Sequence, residues 1–392
     1  MDELEEYGSF HTRYEGVGKL VYLPGDPLDV YFEMRQLSDG RLLIACVSPS
    51  GPILDGPITI DGHLLSGEPF TTMWGRGIKE IYRSEGSVSK AHYVANMTRV
   101  RYTRDVQPDD HSINLALHNF IPGPHTDISK NSLKFSIQGY EVTISPVGNY
   151  RQQANQLLRY GGNLRTSWVN VNLTDPDGTR PFREVRIEDL VADMLNPVSL
   201  ALGTLVTCPQ SITLDAEGKR NDVEHYATSA SAYSSFIPAQ GWDSPIDETI
   251  AAWFSNTQPK LLTSEEVAVC IRQHLDACAT DIYLETRALV AATLLDVMAG
   301  RYAAIWAPQV KSKDIPFRKK LRRLLVDLGM TVQEQHLNSV IKARNSLVHS
   351  GSFVTSEGDK TYAEYRNLLL LGRSILLHLV GLKNPLHEEI VD

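Results

Sequence analysis

Near the C-terminus the chain reads "SVIKARNSLVHSGSF", Ser339 to Phe353. Arg344, Asn345 and His349 bring together a permanent cation, an amide and an imidazole able to exchange a proton near neutral pH. On a helix Asn345 and His349, four residues apart, share a face, and Arg344 is their neighbour. The small residues after His349 leave space beside the helix end. Two readings follow. The group is half of a nuclease site, or it is the end of a structural helix whose buried-edge arginine requires an acidic partner.

The pattern alone is weak. With 24 arginines and 12 histidines in 392 residues, an Arg–His pair at any one offset arises about 0.7 times by chance. Three other pairs occur. "RNDVEH" (Arg220 to His225) lies beside a Gly-containing turn and carries two acids that would repel a phosphate. "RDVQPDDH" (Arg104 to His111) contains a proline and reads as a loop, and in "RSILLH" (Arg373 to His378) two polar residues leave an otherwise apolar core or interface helix.

The elements around the stretch are helical. From Ser264 onward apolar residues recur at spacings of three and four with few prolines, which predicts a bundle of four or five helices. Glu265 to Gly300 reads as one long helix with Ile271, Leu275, Cys278, Ile282, Leu289 and Ala292 in a stripe. Glu285 falls in that stripe where an apolar residue is due, making it the candidate partner of Arg344. "IPFRKKLRRLLVDLGM" forms an amphipathic helix stopped by Gly329, and Leu337, Val340, Ile341, Leu347 and Val348 give the apolar face of the motif helix. "YAEYRNLLLLGRSILLHLVGL" closes the bundle.

The N-terminal part has a different texture. Alternating stretches such as "VYFEMRQL", "RLLIACV", "PITIDG" and "KFSIQGYEVTISPV", separated by Gly, Pro, Asp and Ser clusters, predict short antiparallel strands in a sandwich or barrel. "TSWVNVNLT" adds a strand, a helix interrupted near Pro197 spans about 186–206, and a hairpin near 210–228 turns at Glu217 and Gly218. The chain therefore reads as α+β in two domains: a β-rich part over 1–255 and an all-α part over 262–388, with the boundary near 240–262.

Composition narrows the classes. The net charge is −9, but the first 260 residues hold 22 Lys+Arg against 32 Asp+Glu while the remainder holds 16 against 15. A general nucleic-acid binder is disfavoured for the first part only. The acidic start "MDELEEYGSF" lacks the features of an export signal, and the longest apolar run, Asn367 to Leu382, carries Arg373 and His378, so a cytoplasmic location without membrane insertion is expected. Four cysteines without a CxxC pair point to free thiols and no zinc site. No metal or cofactor is expected.

With these residues in view, "VIKARNSLVHSGS" resembles the R-x4-6-H segment of HEPN domains (higher eukaryotes and prokaryotes nucleotide-binding), in which Asn often follows Arg. The helical layout over about 262–385 is similar as well, and a β-rich part preceding such a domain resembles the layout of ApeA-type anti-phage proteins. The resemblance implies a metal-independent endoribonuclease with its site at a homodimer interface of the helical domain. Arg344 and His349 take the signature places and Asn345 the common polar one. In that chemistry His349 moves the proton of a ribose 2′-OH or of the leaving 5′-oxygen, Arg344 steadies charge on phosphorus, and Asn345 orients phosphate or imidazole. Glu285 would orient the arginine. The run Arg318, Lys319, Lys320, Arg322 and Arg323 is a candidate RNA path, although such a run is more often a solvated helix face. The expected role is anti-phage defence or growth arrest, restrained by the β-rich part until a phage-derived or small-molecule trigger binds. The alternative is a non-catalytic dimerisation scaffold with a ligand-binding β domain.

Overall fold

The computed structural model describes residues 10–22, 26–37, 40–48, 57–85, 88–103, 111–121, 132–137, 140–160, 164–173, 187–227, 262, 264–278, 283–353 and 357–380. The predicted boundary near 240–262 falls almost wholly outside them. The chain divides into two compact units. One comprises 1–120, 128–185 and 207–233, and the other 121–127, 186–206 and 234–392.

Among the described residues the first unit holds twelve strands, all paired antiparallel: β1 (Phe10–Tyr22), β2 (Leu28–Leu37), β3 (Leu42–Ser48), β4 (Pro57–Leu64), β5 (Pro69–Glu85), β6 (Val88–Thr103), β7 (Ser112–His118), β8 (Leu133–Ile137), β9 (Tyr140–Pro146), β10 (Arg165–Asn172), β11 (Thr207–Leu214) and β12 (Arg220–Tyr226). The order β3-β2-β1-β4-β5-β6 closes on itself, because β3 also pairs with β6 from Leu42↔Met97 to Ser48↔Ala91. Closure leaves this six-strand barrel without a free edge. From Arg99 to Thr103 β6 pairs with β12, and the sheet continues through β11, β7, β10 and β9 to β8.

Inward positions of the barrel are apolar at every second residue: Val30, Phe32 and Met34 on β2, and Leu42, Ile44 and Cys46 on β3, all buried. Phe32 stacks on Phe70 at 4.4 Å between centroids. The predicted hairpin is β11–β12, with Gly218 at φ 76° in its turn. Helix α1 (Tyr150–Tyr160) packs on β10. The expected strands were short, whereas β5 and β6 run 17 and 16 residues.

The second unit contains α2 (Ile187–Leu202), α3 (Ser264–Cys278), α4 (Leu284–Trp306), α5 (Phe317–Asp327), α6 (Glu334–Ser350) and α7 (Gly358–Leu379). Helix α2, read from sequence with the β-rich part, groups here because it packs on α3 and Leu200 enters the helical core. Pro197 lies inside this one continuous helix, where an interruption was expected. The single helix predicted over 265–300 is two, α3 and α4, which pack on each other.

Helix α4 is the centre of the bundle and touches α3, α5, α6 and α7. Alanines 288, 291, 292, 299 and 303 are buried along it and permit close approach, and a Cβ on Gly372 of α7 would stand 3.2 Å from Leu294 Cδ2. By length and hydropathy α4 is able to cross a bilayer, yet ten of its 23 residues are buried in the bundle. Gly329, in the left-handed region at φ 70°, ends α5 as predicted.

Candidate functional site

Helix α6 presents the Arg-Asn-His group because its apolar stripe is Leu337, Val340, Ala343 and Leu347, at helical spacing and all buried. The face predicted from sequence was rotated slightly from this. Ile341 is only half-buried and Val348 is exposed, so Arg344 stands at the margin of the packed face. The helix stops at Gly351, whose φ of 68° and N–H bond to Leu347 O at 2.9 Å complete a left-handed cap. His349 therefore lies in the last turn, exposed, with exposed Asn345 one turn earlier on the same face.

The Arg344 side chain is only 14% exposed and is held from three sides. Its Nε and Nη2 both donate to Asp296 Oδ2 on α4, the former at 2.9 Å. Nη1 donates to Asn345 Oδ1 at 2.9 Å. The guanidinium carbon stands 4.7 Å from the centroid of the Phe317 ring, at the start of α5. Three of the five guanidinium N–H groups are thus engaged, and the side-on pair is the one taken by Asp296. No described residue hydrogen-bonds the His349 imidazole.

Glu285 does not fill its predicted place. It is exposed in the first turn of α4, three turns and about 16 Å of helix axis before Asp296. Eleven residues are close to three whole turns, so the two acids share one helix face. On α4 the predicted stripe runs along the margin of the buried face, with Ala292 buried and Leu289 exposed, while its Ile282 lies outside the described residues. Continuing it from Ala292 by four residues reaches Asp296, a signal present in the sequence. Phe317 carries no sequence signal for its place over the guanidinium.

The basic run is largely neutralised within the chain. Arg318 and Arg322 both pair with Glu334 in the first turn of α6. Arg323 pairs with Asp327 at 2.7 Å, and Asp327 also accepts from Tyr302. The Tyr302 hydroxyl is the main reason that the Asp327 carboxyl lies below its ordinary range. Among the described residues Lys319 and Lys320 make no ion pair, and Lys319 is exposed.

The competing Arg–His pairs are placed differently. His225 is buried on β12 with Nδ1 2.9 Å from Gln36 Oε1, and burial pushes its pKa down to about 3. Arg104 lies outside the described residues. Arg373 is buried rather than a polar exit, with its pKa lowered by desolvation, and the His378 ring donates to Ser374 O at 2.9 Å. A further histidine, His274 on α3, is wholly buried, with Nε2 3.8 Å from Cys278 Sγ and a pKa pushed down to about 3 by burial and by Arg373.

The arrangement joins a fixed cation, a carboxamide and an exposed imidazole within one turn and a half at a helix end. Such a group can hold a phosphate and move a proton beside it. Among the described residues no three His, Cys, Asp or Glu side chains are grouped to hold a metal ion. No protein-family model, curated protein or solved structure matches this chain.

Proposed function

We propose that the chain is a HEPN-type endoribonuclease that cleaves RNA without a metal ion, with the helical unit forming its dimer. The carrying observation is the clamp on Arg344. Asp296 takes the side-on edge of the guanidinium and Phe317 covers it, so the arginine is fixed beside exposed Asn345, and exposed His349 follows one turn after Asn345.

In this reading the ribose 2′-oxygen attacks phosphorus while a base takes its proton. The P–O2′ bond forms, the P–O5′ bond breaks, and the 5′-oxygen is protonated as it leaves. Each α6 helix brings one His349, and two α6 helices facing each other in a dimer supply both base and acid. DNA, lacking the 2′-OH, is not cleaved. The protein acts in the cytoplasm in anti-phage defence or growth arrest, and the β-rich unit restrains it until a trigger binds. Growth arrest on expression that is lost in His349→Ala supports this reading, and arrest that persists in that variant contradicts the role given to His349.

A second reading is favoured by one observation: Arg344 is mostly buried and already bonded to Asp296 and Asn345 within a single chain. In a non-catalytic dimerisation scaffold the same clamp is a structural ion pair. Stable dimers without RNA cleavage in vitro favour the scaffold.

A further inference from the structure

A groove of about 970 Å³ crosses β5, β4, β1 and β2 and reaches Val47 on β3, near the top of the size range of small-ligand sites, about 300–1,000 Å³. Its floor passes the cross-strand pair Gly18↔Gly62. A Cβ on Gly62 would fall 2.2 Å from Val17 O, and one on Gly18 2.5 Å from Asp61 O, so β1 and β4 approach there more closely than side chains permit.

Strand register arranges the outward-facing lining in two rows, with the inward row Val30, Gly18, Gly62 and Phe70 between them. Tyr31, Val17, His63 and Pro69 stand side by side on four strands. This row is mainly apolar, and Val17 is 51% exposed. The Tyr31 hydroxyl is turned to Glu15 Oε2 at 2.6 Å, the bond that raises its pKa to about 12. Two residues along the strands lies the second row, Asp29, Lys19, Asp61 and Thr71. Lys19 Nζ is 2.6 Å from Asp29 Oδ1, and Thr71 donates to Asp61 Oδ1 at 2.5 Å.

These rows exclude several ligand classes. All four strands are paired on both sides, so a peptide cannot add as another strand. The row's one lysine is already ion-paired and two carboxylates face outward, which disfavours phosphates and other anions. Along the polar row acceptor and donor alternate. A cation would match only the acceptors, whereas a hydroxyl both donates and accepts. An apolar strip beside such a row fits a ring with a C–H face and hydroxylated edges.

We infer that this groove is a binding site for a neutral saccharide. The ring face rests on Tyr31, Val17 and His63, and the hydroxyls bond to Asp29, Lys19, Asp61 and Thr71. The site stands whether or not the helical unit cleaves RNA.

The test is saturation-transfer NMR on the full chain with millimolar maltotriose, cellotriose and chitotriose, and with arginine methyl ester and AMP as the cationic and anionic comparisons. Transfer to ring C–H protons of at least one trisaccharide is expected, weakened about tenfold by Asp61→Ala and by Val17→Asp. Both positions are exposed, and unchanged melting temperatures exclude misfolding. The inference is overturned if no trisaccharide receives saturation, if neither variant alters the transfer, or if arginine methyl ester or AMP displaces the sugar with the same dependence on Asp61.

Discussion

Arg344 on α6 meets Asp296 on α4 through the side-on edge of its guanidinium, with Nε donating to Oδ2 at 2.9 Å. The pair joins the motif helix to the central helix of the bundle and fixes where the cation points. It is also the feature on which the catalytic and structural readings make different demands. A structural pair has to be kept for folding, and a catalytic one has to be kept for its orientation.

Removing the carboxylate leaves a mostly buried guanidinium without its main acceptor. Asp296→Ala is expected to lower stability by about 1–3 kcal/mol, read from denaturant unfolding. Arg344→Lys retains the charge but loses the fork that bonds Asp296 and Asn345 together. Its melting temperature should stay near that of the wild type while RNA cleavage collapses. Full cleavage by Arg344→Lys would show that a point charge suffices.

Glu285→Ala serves as the contrast. The residue is exposed in the first turn of α4, so the substitution should change stability by no more than about 0.5 kcal/mol and leave cleavage unchanged. A loss of cleavage would return Glu285 to the site.

Period and punctuation made much of the fold legible before the structure. The motif helix, the Gly329 stop of the helix before it, the β11–β12 hairpin and the division into β-rich and helical parts all rest on local signals. The long pair β5 and β6 was missed because Gly75 and Gly77 interrupt its alternation. The alanine-rich run over 265–300 hid a break, since residues on both sides keep a helical period. The candidate site was legible as Arg344, Asn345 and His349, which are close in the chain. Asp296 comes from another helix, and without tertiary packing nothing distinguished it from Glu285 on the same face. The sequence likewise could not show that Arg318 and Arg322 are neutralised, because Glu334 reaches them only once α5 and α6 are packed.

That neutralisation is itself testable. Glu334→Ala removes an exposed carboxylate shared by two arginines, so its melting temperature should stay near that of the wild type. If α5 lies along the RNA path, the released arginines tighten RNA binding and steepen its dependence on salt by up to about two counterions. An unchanged salt slope in filter-binding titrations would place the RNA elsewhere.

Two buried histidines make the protein acid-sensitive. His225 and His274 have folded pKa values of about 3, set mainly by burial, against the ordinary 6.5. Above pH 6.5 both are neutral in the folded and unfolded chains and impose no penalty. As pH falls from 6.5 toward 3 the unfolded chain takes up protons that the folded chain refuses, so stability declines. Each histidine contributes a slope of at most about 1.4 kcal/mol per pH unit. Unfolding between pH 6.5 and 5 stays above the main carboxylate range, and there His274→Leu should flatten the decline. An unaltered slope in that variant would mean that His274 is protonated in the folded protein.

The most direct measurement is cleavage of total RNA and tRNA in EDTA by purified wild type, Arg344→Ala and His349→Ala, with the product ends read for 2′,3′-cyclic phosphate. The account predicts cyclic-phosphate ends from the wild type alone, with His349→Ala still folded and dimeric. Cleavage by His349→Ala equal to that of the wild type would contradict it and leave the Arg344–Asp296 pair as a structural clasp.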